Sequence, residues 1–200
     1  MKMEITPSGT VMLFDEELHR YFDQYGRRYD SVTGILEAEG YIDTEWFTEE
    51  AALRGTEVHK AVKKLSRREA EIKDFRKNYW FDYLEAYIWF CVDTGFQPHW
   101  IEKIVCDERF QIAGTLDMTG TLRGRKVLID LKTGDFEDWH PVQLAAYAVM
   151  GRIEDYRRYT LHLKSDGKYT LKDSHRRLGS YQEAKWAAQW ALIAGHWRAA

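Results

Sequence analysis

Cysteine and proline are scarce in this chain of 200 residues, which contains two cysteines and three prolines. Two cysteines cannot build a disulfide framework, and the spacing of Cys91 and Cys106 does not suit a metal site. We therefore interpret both as reduced core thiols of a cytosolic protein. With so few prolines, no low-complexity tract and no internal repeat, the sequence predicts one domain over residues 1–200 without a linker.

Long apolar runs and a net positive charge are also missing. No segment approaches the roughly 20 apolar residues that span a bilayer, and the N-terminus lacks the apolar region of a secretory signal. The net charge is −3, which argues against a protein that coats nucleic acid nonspecifically. The charge is compatible with an enzyme that acts on nucleic acid, because such an enzyme needs basic residues only along the path of its substrate.

The first half of the sequence has mainly helical patterns after an opening hairpin. Residues 19–23 and 28–31 flank a turn and predict a β-hairpin, and Ser31 or Thr33 could cap the short helix that follows. Two longer helices are predicted over residues 45–65 and 74–92.

The second half has mainly strand patterns. Strands are predicted over residues 100–107, 110–122, 126–132, 156–163 and 168–171. Helices are predicted over residues 142–150, with Pro141 in the first turn, and over residues 181–197. Helices combined with a mixed sheet predict an α/β layer architecture.

The predicted hairpin around Arg123 and Gly124 brings two carboxylates together. If these two residues form the turn, the register sets Asp117 directly opposite Asp130, where like charges destabilise a sheet. A divalent cation between the carboxylate oxygens would offset that repulsion. Lys132 lies on the same strand face as Asp130. A cation and an ammonium group together are what phosphodiester cleavage needs, and hard oxygen ligands favour Mg²⁺ or Mn²⁺.

An Asp-x-Lys triplet alone is more often part of a surface hairpin with solvated ion pairs. Here residues 127–129 form a continuous apolar run, which predicts a central strand buried on both faces. Charges at the end of such a strand are costly unless they are paired or bound to a metal. The buried strand therefore favours the functional interpretation.

Four segments resemble, in order and spacing, motifs of the PD-(D/E)XK nuclease superfamily, in its RecB-like branch with the phage-type exonucleases. They are Arg-Gly-Thr-x-x-His at 54–59, Gly-x-x-Asp at 114–117, Asp-x-Lys-Thr-Gly at 130–134 and Gln-x-x-x-Tyr at 143–147. The hairpin and residues 31–36 also resemble the lead-in of such nucleases. Leu116 stands where the superfamily name has a proline, and two cysteines cannot hold the iron–sulfur cluster of some relatives.

The resemblance implies a restriction-endonuclease-like core, preceded by a β-hairpin and a helical segment. It also implies that a metal ion, Mg²⁺ or Mn²⁺, is held by His59, Asp117, Asp130 and the backbone carbonyl of Leu131. Lys132 would activate water.

Further residues are candidates for lining the site or contacting substrate. The resemblance implies that Gln143 and Tyr147, which share a helix face, line the site. Weaker candidates for substrate contact are Arg54, Thr133 and Glu102. Glu102 lies on the strand before the hairpin and could join the site, although its position is more typical of an edge or surface carboxylate. Arg20, Arg27 and Arg28 on the opening hairpin could reach phosphates, although each is individually more typical of a solvated charge.

The resemblance implies a Mg²⁺- or Mn²⁺-dependent deoxyribonuclease, in the first instance an exonuclease acting on linear or single-stranded DNA ends in recombination, repair or phage DNA processing. It would work in the cytoplasm of a bacterium or a phage-infected host, with a recombination or helicase partner as an option and no membrane contact. A structure-dependent endonuclease, a catalytically idle nucleic-acid-binding module and an unrelated carboxylate-rich metalloprotein stay open, as does the oligomeric state.

Overall fold

The computed structural model describes residues 1–43, 48–174, 190 and 192–195. The closing helix predicted over residues 181–197 lies outside these residues except at positions 190 and 192–195, which are helical. Among the described residues, no helix combines the length and the apolar character needed to cross a bilayer. Cys91 and Cys106 are both free thiols, and Cys106 is buried.

The chain opens with four short antiparallel strands. They are β1 (Lys2–Ile5), β2 (Val11–Asp15), β3 (Arg20–Asp23) and β4 (Arg28–Ser31). The β3–β4 hairpin is confirmed, and Gly26 supplies the left-handed turn residue at φ 79°. Strands β1 and β2 were not predicted. Short strands depend on cross-strand packing more than on their own residue pattern, so their sequences carry little signal.

Two helices follow the meander. Helix α1 (Val32–Ala38) is capped by Ser31, whose hydroxyl accepts from the amide of Gly34, which decides between the two predicted caps. Helix α2 (Glu49–Ser66) is capped by Thr48. The predicted start of this helix at residue 45 lies outside the described residues.

The next helix begins later than predicted. Residues 72–75 form a separate 3₁₀ turn, in which Glu71 and Asp74 cap one another. Helix α3 (Phe81–Thr94) starts only afterwards and ends at Gly95 in the left-handed conformation, φ 65°. Tyr79 therefore lies before the helix and is largely exposed. The two elements are separated by turns at Asn78, whose backbone and side-chain amides both donate to the carbonyl of Phe75.

The remaining elements follow the predicted order. They are β5 (Gln97–Asp107), β6 (Ile112–Leu122), β7 (Arg125–Lys132), α4 (His140–Met150), β8 (Arg157–Leu163) and β9 (Tyr169–Asp173). Pro141 lies in the first turn of α4, where a missing amide hydrogen costs nothing.

The nine strands of the described residues form one mixed sheet in the order β1-β2-β3-β4-β6-β7-β8-β9, with β5 pairing with β6 outside this path. The β4–β6 and β7–β8 pairs are parallel, and the others are antiparallel. Helices α1 and α4 pack in one apolar core and α2 and α3 in another, on the two sides of the sheet. The protein is thus an α/β structure with a large mixed sheet flanked by helices.

Strand β7 is buried on both faces, as its apolar run predicts. Val127, Ile129 and Leu131 pack in the core with α2 and α3, whereas Leu128 packs in the core with α1 and α4. The alternation turns Asp130 and Lys132 toward α4, so the strand carries both charged side chains to the end of a buried surface.

Candidate active site

The site lies on β6, at a stretch of one strand edge that neither of its two partner strands covers. Strand β5 occupies one edge of β6 along its length. The other edge pairs with β4 at residues 112–113 and with β7 at residues 118–122. Residues 114–117, which we call the sheet gap, lie between these two partners. Backbone and side chains in the sheet gap are therefore open to groups from helices on both sides.

Asp117 ends the sheet gap, and the strand is irregular there. Leu116 packs with α1 and α4, whereas Met118, two residues later, packs with α2 and α3. In a regular strand these side chains would share a face. The β6–β7 register follows the predicted turn as far as Met118 opposite Ile129, one pair short of Asp117 and Asp130.

A side-chain hydrogen bond replaces the expected last pair. The carboxylate Oδ2 of Asp117 accepts from the amide of Leu131 at 2.6 Å. The predicted direct opposition of Asp117 and Asp130 is therefore corrected to an offset arrangement. The two carboxylates remain near enough for Asp117 to contribute to raising the pKa of Asp130.

Helix α2 brings His59 to the same point. Its Nε2 lies 3.0 Å from the carbonyl oxygen of Leu131, and its Nδ1 lies 3.4 Å from Oδ1 of Asp117. Burial disfavours the imidazolium, but the carboxylates of Asp117 and Glu102 outweigh it and raise the pKa of His59 to about 10. Burial likewise works against the Asp117 carboxylate, yet His59 and Lys132 hold the pKa of Asp117 below its usual value.

Glu102 completes a three-residue group. Its Oε1 lies 3.7 Å from Nδ1 of His59, and potential ligand atoms of His59, Glu102 and Asp117 all lie within 4.8 Å of one another. Glu102 interrupts β5 with a left-handed φ of 54°, uncommon for a residue with a side chain. An imidazole and two carboxylates at this spacing can hold one divalent cation.

Asp130 lies beside this group and is 3% exposed. Burial raises its pKa to about 6 against the opposing effect of Lys132. The Nζ of Lys132 lies 3.0 Å from Oδ2 and 3.1 Å from Oδ1 of Asp130. Among the described residues, Oδ2 has no hydrogen-bond partner of suitable geometry, so it retains acceptor capacity.

Helix α4 supplies a chain of polar contacts to Lys132. The Nζ of Lys132 donates to Oε1 of Gln143 at 3.1 Å. The amide nitrogen of Gln143 then donates to the hydroxyl of Tyr147 at 3.2 Å and to that of Thr33 at 3.3 Å. The indole of Trp139 lies 5.0 Å from the same Nζ. Together these contacts fix the position of the ammonium group.

A cavity of about 490 Å³ opens from the sheet gap between the N-terminal meander and α2. Its lining includes Lys60 and Lys63 on α2 and the three members of the His59 group. Arg20, Arg27 and Arg28 do not line it, and Arg27 is held by Asp23 at 2.5 Å. The basic side chains at this cavity thus come from α2 rather than from the opening hairpin.

Arg54 and Thr133 lie at a second cavity, on the other side of the contact between α2 and the end of β7. The guanidinium of Arg54 lies over the ring of Tyr83 at 5.4 Å. A side chain at Gly55 would begin only 3.6 Å from the hydroxyl of Thr133. Arg54 is therefore separated from the His59 group by the α2–β7 contact.

The sequence predicted that His59, Asp117, Asp130 and Lys132 lie together. Glu102 was only a weaker candidate, and Trp139 was not predicted. Glu102 had no local signal, because its position depends on the irregularity of β5. Trp139 stands four residues before Gln143, one helical turn upstream, and this spacing could have identified it. Thr33 was considered only as a helix cap.

No protein-family model matches the chain, and no curated protein is significantly similar to it.

Proposed function

We propose that this protein is a Mg²⁺- or Mn²⁺-dependent deoxyribonuclease of the RecB-like PD-(D/E)XK type, acting as an exonuclease on DNA ends. The observation that carries the proposal is the meeting of His59, Asp117 and Asp130 with Lys132 at the sheet gap. A mixed sheet with α4 inserted between β7 and the parallel strand β8 is compatible with a restriction-endonuclease-like core.

The side chains at the sheet gap fit a hard divalent cation. His59, Glu102 and Asp117 are mutually close, and Oδ2 of Asp130 retains acceptor capacity. The bound cation would polarise a phosphate and lower the pKa of a bound water. His59 must lose the proton on Nδ1 to act as a ligand, while its Nε2–H donates to the carbonyl of Leu131. That hydrogen bond orients His59. Because Nδ1 and Nε2 point to opposite sides of the ring, the Leu131 carbonyl would not reach a cation bound at Nδ1.

Lys132 is held where it can act on water or phosphate. Two of the three N–H groups of its ammonium are directed to Asp130 and Gln143. The third can donate to an attacking water or to the phosphate oxygen on which negative charge develops.

The test is DNA cleavage by the wild-type protein and by Lys132→Ala. End-labelled linear duplex, single-stranded and closed circular DNA are incubated with Mg²⁺, Mn²⁺ or chelator. The wild type is expected to release mononucleotides from linear DNA only with a cation. Lys132→Ala is expected to lower the rate by about 10²–10³-fold, because it removes a donor to developing charge, while DNA and Mn²⁺ binding are retained.

The matched control is Lys126→Ala, an exposed lysine at the other end of β7, which should cleave like the wild type. Nicking of closed circles would instead establish an endonuclease. DNA binding without cleavage under any cation condition would leave only a binding module and overturn the proposal. Unfolding of Lys132→Ala, seen by circular dichroism, would show that Lys132 has a structural role.

A further inference from the structure

A second cavity of about 740 Å³ lies beyond the α2–β7 contact, at the ends of β7 and β8. It adjoins the proposed catalytic site through the backbone. Thr133, which lines it, follows Lys132 directly, and His162, which also lines it, pairs with Lys132 in the sheet.

The lining is rich in hydrogen-bond donors and cations. Cationic groups come from three elements: Arg54 on α2, Lys164 after β8 and Lys172 on β9. Hydroxyl groups are added by Thr133, Ser165 and Thr170. The acidic members are Asp135 and Asp166, and Asp166 is paired with Lys168 at 3.0 Å. This balance favours a phosphate over a cation as the ligand.

Two buried polar atoms at the cavity have no partner among the described residues. One is Nε of Arg54, and the other is Nε2 of His162, a side chain that is only 7% exposed. The Nδ1 of His162 lies 3.0 Å from the carbonyl of Gly134, so it must be the protonated nitrogen. Burial, with Lys132 and Lys172, lowers the pKa of His162, which leaves Nε2 as a buried acceptor.

A donor and an acceptor left unsatisfied in one cavity indicate a ligand that offers both kinds of group. A nucleotide does: its phosphate accepts from Arg54 and the lysines, and every nucleobase carries an N–H donor on its pairing edge. A bare phosphate would leave the acceptor of His162 unsatisfied. Rings of Tyr83 and Phe136, which lie under Arg54 and Lys172, border the same space.

We propose that this cavity binds one unpaired nucleotide of the substrate strand. The inference rests on the proposed nuclease function and adds the substrate class: a strand that is single-stranded at the site. Arg54 and Lys164 would hold the phosphate of this nucleotide, and His162 would accept from its base.

The experiment scans a single-stranded oligonucleotide with one neutral methylphosphonate linkage at each position in turn. Affinity is measured in chelator, where cleavage does not occur, for the wild type, Arg54→Lys, Lys164→Ala and the control Lys77→Ala, an exposed lysine that does not line the cavity. One linkage is expected to weaken wild-type binding about tenfold, as loss of a charged hydrogen bond does.

The loss of affinity caused by that one methylphosphonate linkage should be absent in Arg54→Lys and present in Lys77→Ala. Lys164→Ala should also flatten the salt dependence of log Kd by about 0.7, the value for one phosphate contact with a single strand. An abasic residue at the same nucleotide should weaken the wild type but not His162→Phe.

Each outcome separates the two proposals. If the wild type cleaves DNA but Arg54→Lys and Lys164→Ala keep the wild-type methylphosphonate profile, the nucleotide site is overturned and the nuclease is not. If the wild type does not cleave yet the profile changes as described, the nucleotide site stands and the nuclease is overturned. A wild type that neither binds nor cleaves the oligonucleotide overturns both.

Discussion

Opposing electrostatic effects act on the carboxylate of Asp130, and a bound cation would favour its charged form. Burial disfavours its charge and Asp117 repels it, whereas Lys132 and His59 attract it. Folding therefore raises its pKa from 3.8 to about 6. Because the protonated form is favoured in the folded state, its stabilising contribution is complete below pH 3.8 and is lost as the pH rises through about 6. In chelator, the ionised carboxylate at pH 8 is a net cost to folding.

We predict that Asp130→Asn removes this pH dependence. Both proteins are measured in chelator. The unfolding free energy of the variant minus that of the wild type should rise by on the order of 2 kcal/mol from pH 4 to pH 8. Urea unfolding at several pH values measures it. His59 titrates in both proteins, so the difference between the two pH profiles reports on Asp130 together with its interaction with His59.

Adding Mn²⁺ at pH 8 should reverse the order of stability. A cation that binds only the folded wild type stabilises it by about 2.7 kcal/mol at one hundred times its Kd, and Asp130→Asn should show little of this gain. Asp166→Asn, an exposed carboxylate outside the site, should respond to Mn²⁺ like the wild type. A Mn²⁺ response that Asp130→Asn retains in full would falsify its role as a ligand.

At the scale of elements, the contact between β6 and α4 positions the Gln143–Tyr147 face. A Cβ atom at Gly114 would lie 2.6 Å from Cε1 of Tyr147, which is too close for an ordinary contact. Glycine is therefore required at the start of the sheet gap, so that the Tyr147 ring can lie against the strand. Tyr147 in turn receives the hydrogen bond of Gln143 that places Lys132.

We predict that Gly114→Ala destabilises the protein by about 1–3 kcal/mol, as overpacking of a core does. Because the ring must move, DNA cleavage should fall while cation binding is retained. Thermal unfolding and cleavage rate measure the two effects. The double variant Gly114→Ala/Tyr147→Ala should show coupling of more than about 0.5 kcal/mol, and additive losses would contradict the contact. Gly195→Ala, at an exposed helical position with no atom within 4 Å of its added Cβ, is the control.

At the scale of the whole molecule, the N-terminal meander and the central sheet share a core. The only strand pairing between them in the described residues is the short β4–β6 ladder, residues 30–31 with 112–113. Met12 and Tyr21 from the meander pack against Ile104 and Cys106 from β5. The hydroxyl of Tyr21 also lies 2.9 Å from that of Thr115 in the sheet gap. The meander is therefore part of the wall of the site rather than an appendage.

We predict that Met12→Ala destabilises the whole domain by about 2–4 kcal/mol in a single transition, because it removes a fully buried side chain from the shared core. Urea unfolding followed by far-ultraviolet circular dichroism and by tryptophan fluorescence should give coincident curves. Two separate transitions would show that the meander folds independently. Met3→Ala, which removes a largely exposed side chain, should change stability by less than about 0.5 kcal/mol.

The sequence by itself determined the features that depend on neighbours along the chain. The apolar run of β7, the turn at Arg123 and Gly124 and the helical spacing of Gln143 and Tyr147 all follow from local periodicity and turn chemistry. These features predicted the α/β class, the central strand and the common face of Asp130 and Lys132. The predicted start of α3 was wrong because turns at Asn78 interrupt an otherwise periodic segment.

Only the tertiary structure decided how distant elements meet at the sheet gap. The reversal of strand faces at Asp117, the left-handed bend at Glu102 and the approach of His59 depend on two cores that pack on opposite sides of one sheet. Arg54, five positions before His59 on the same helix, faces a different cavity for the same reason. Periodicity states which side chains share a face, but the packing of whole helices against the sheet determines which faces come into contact.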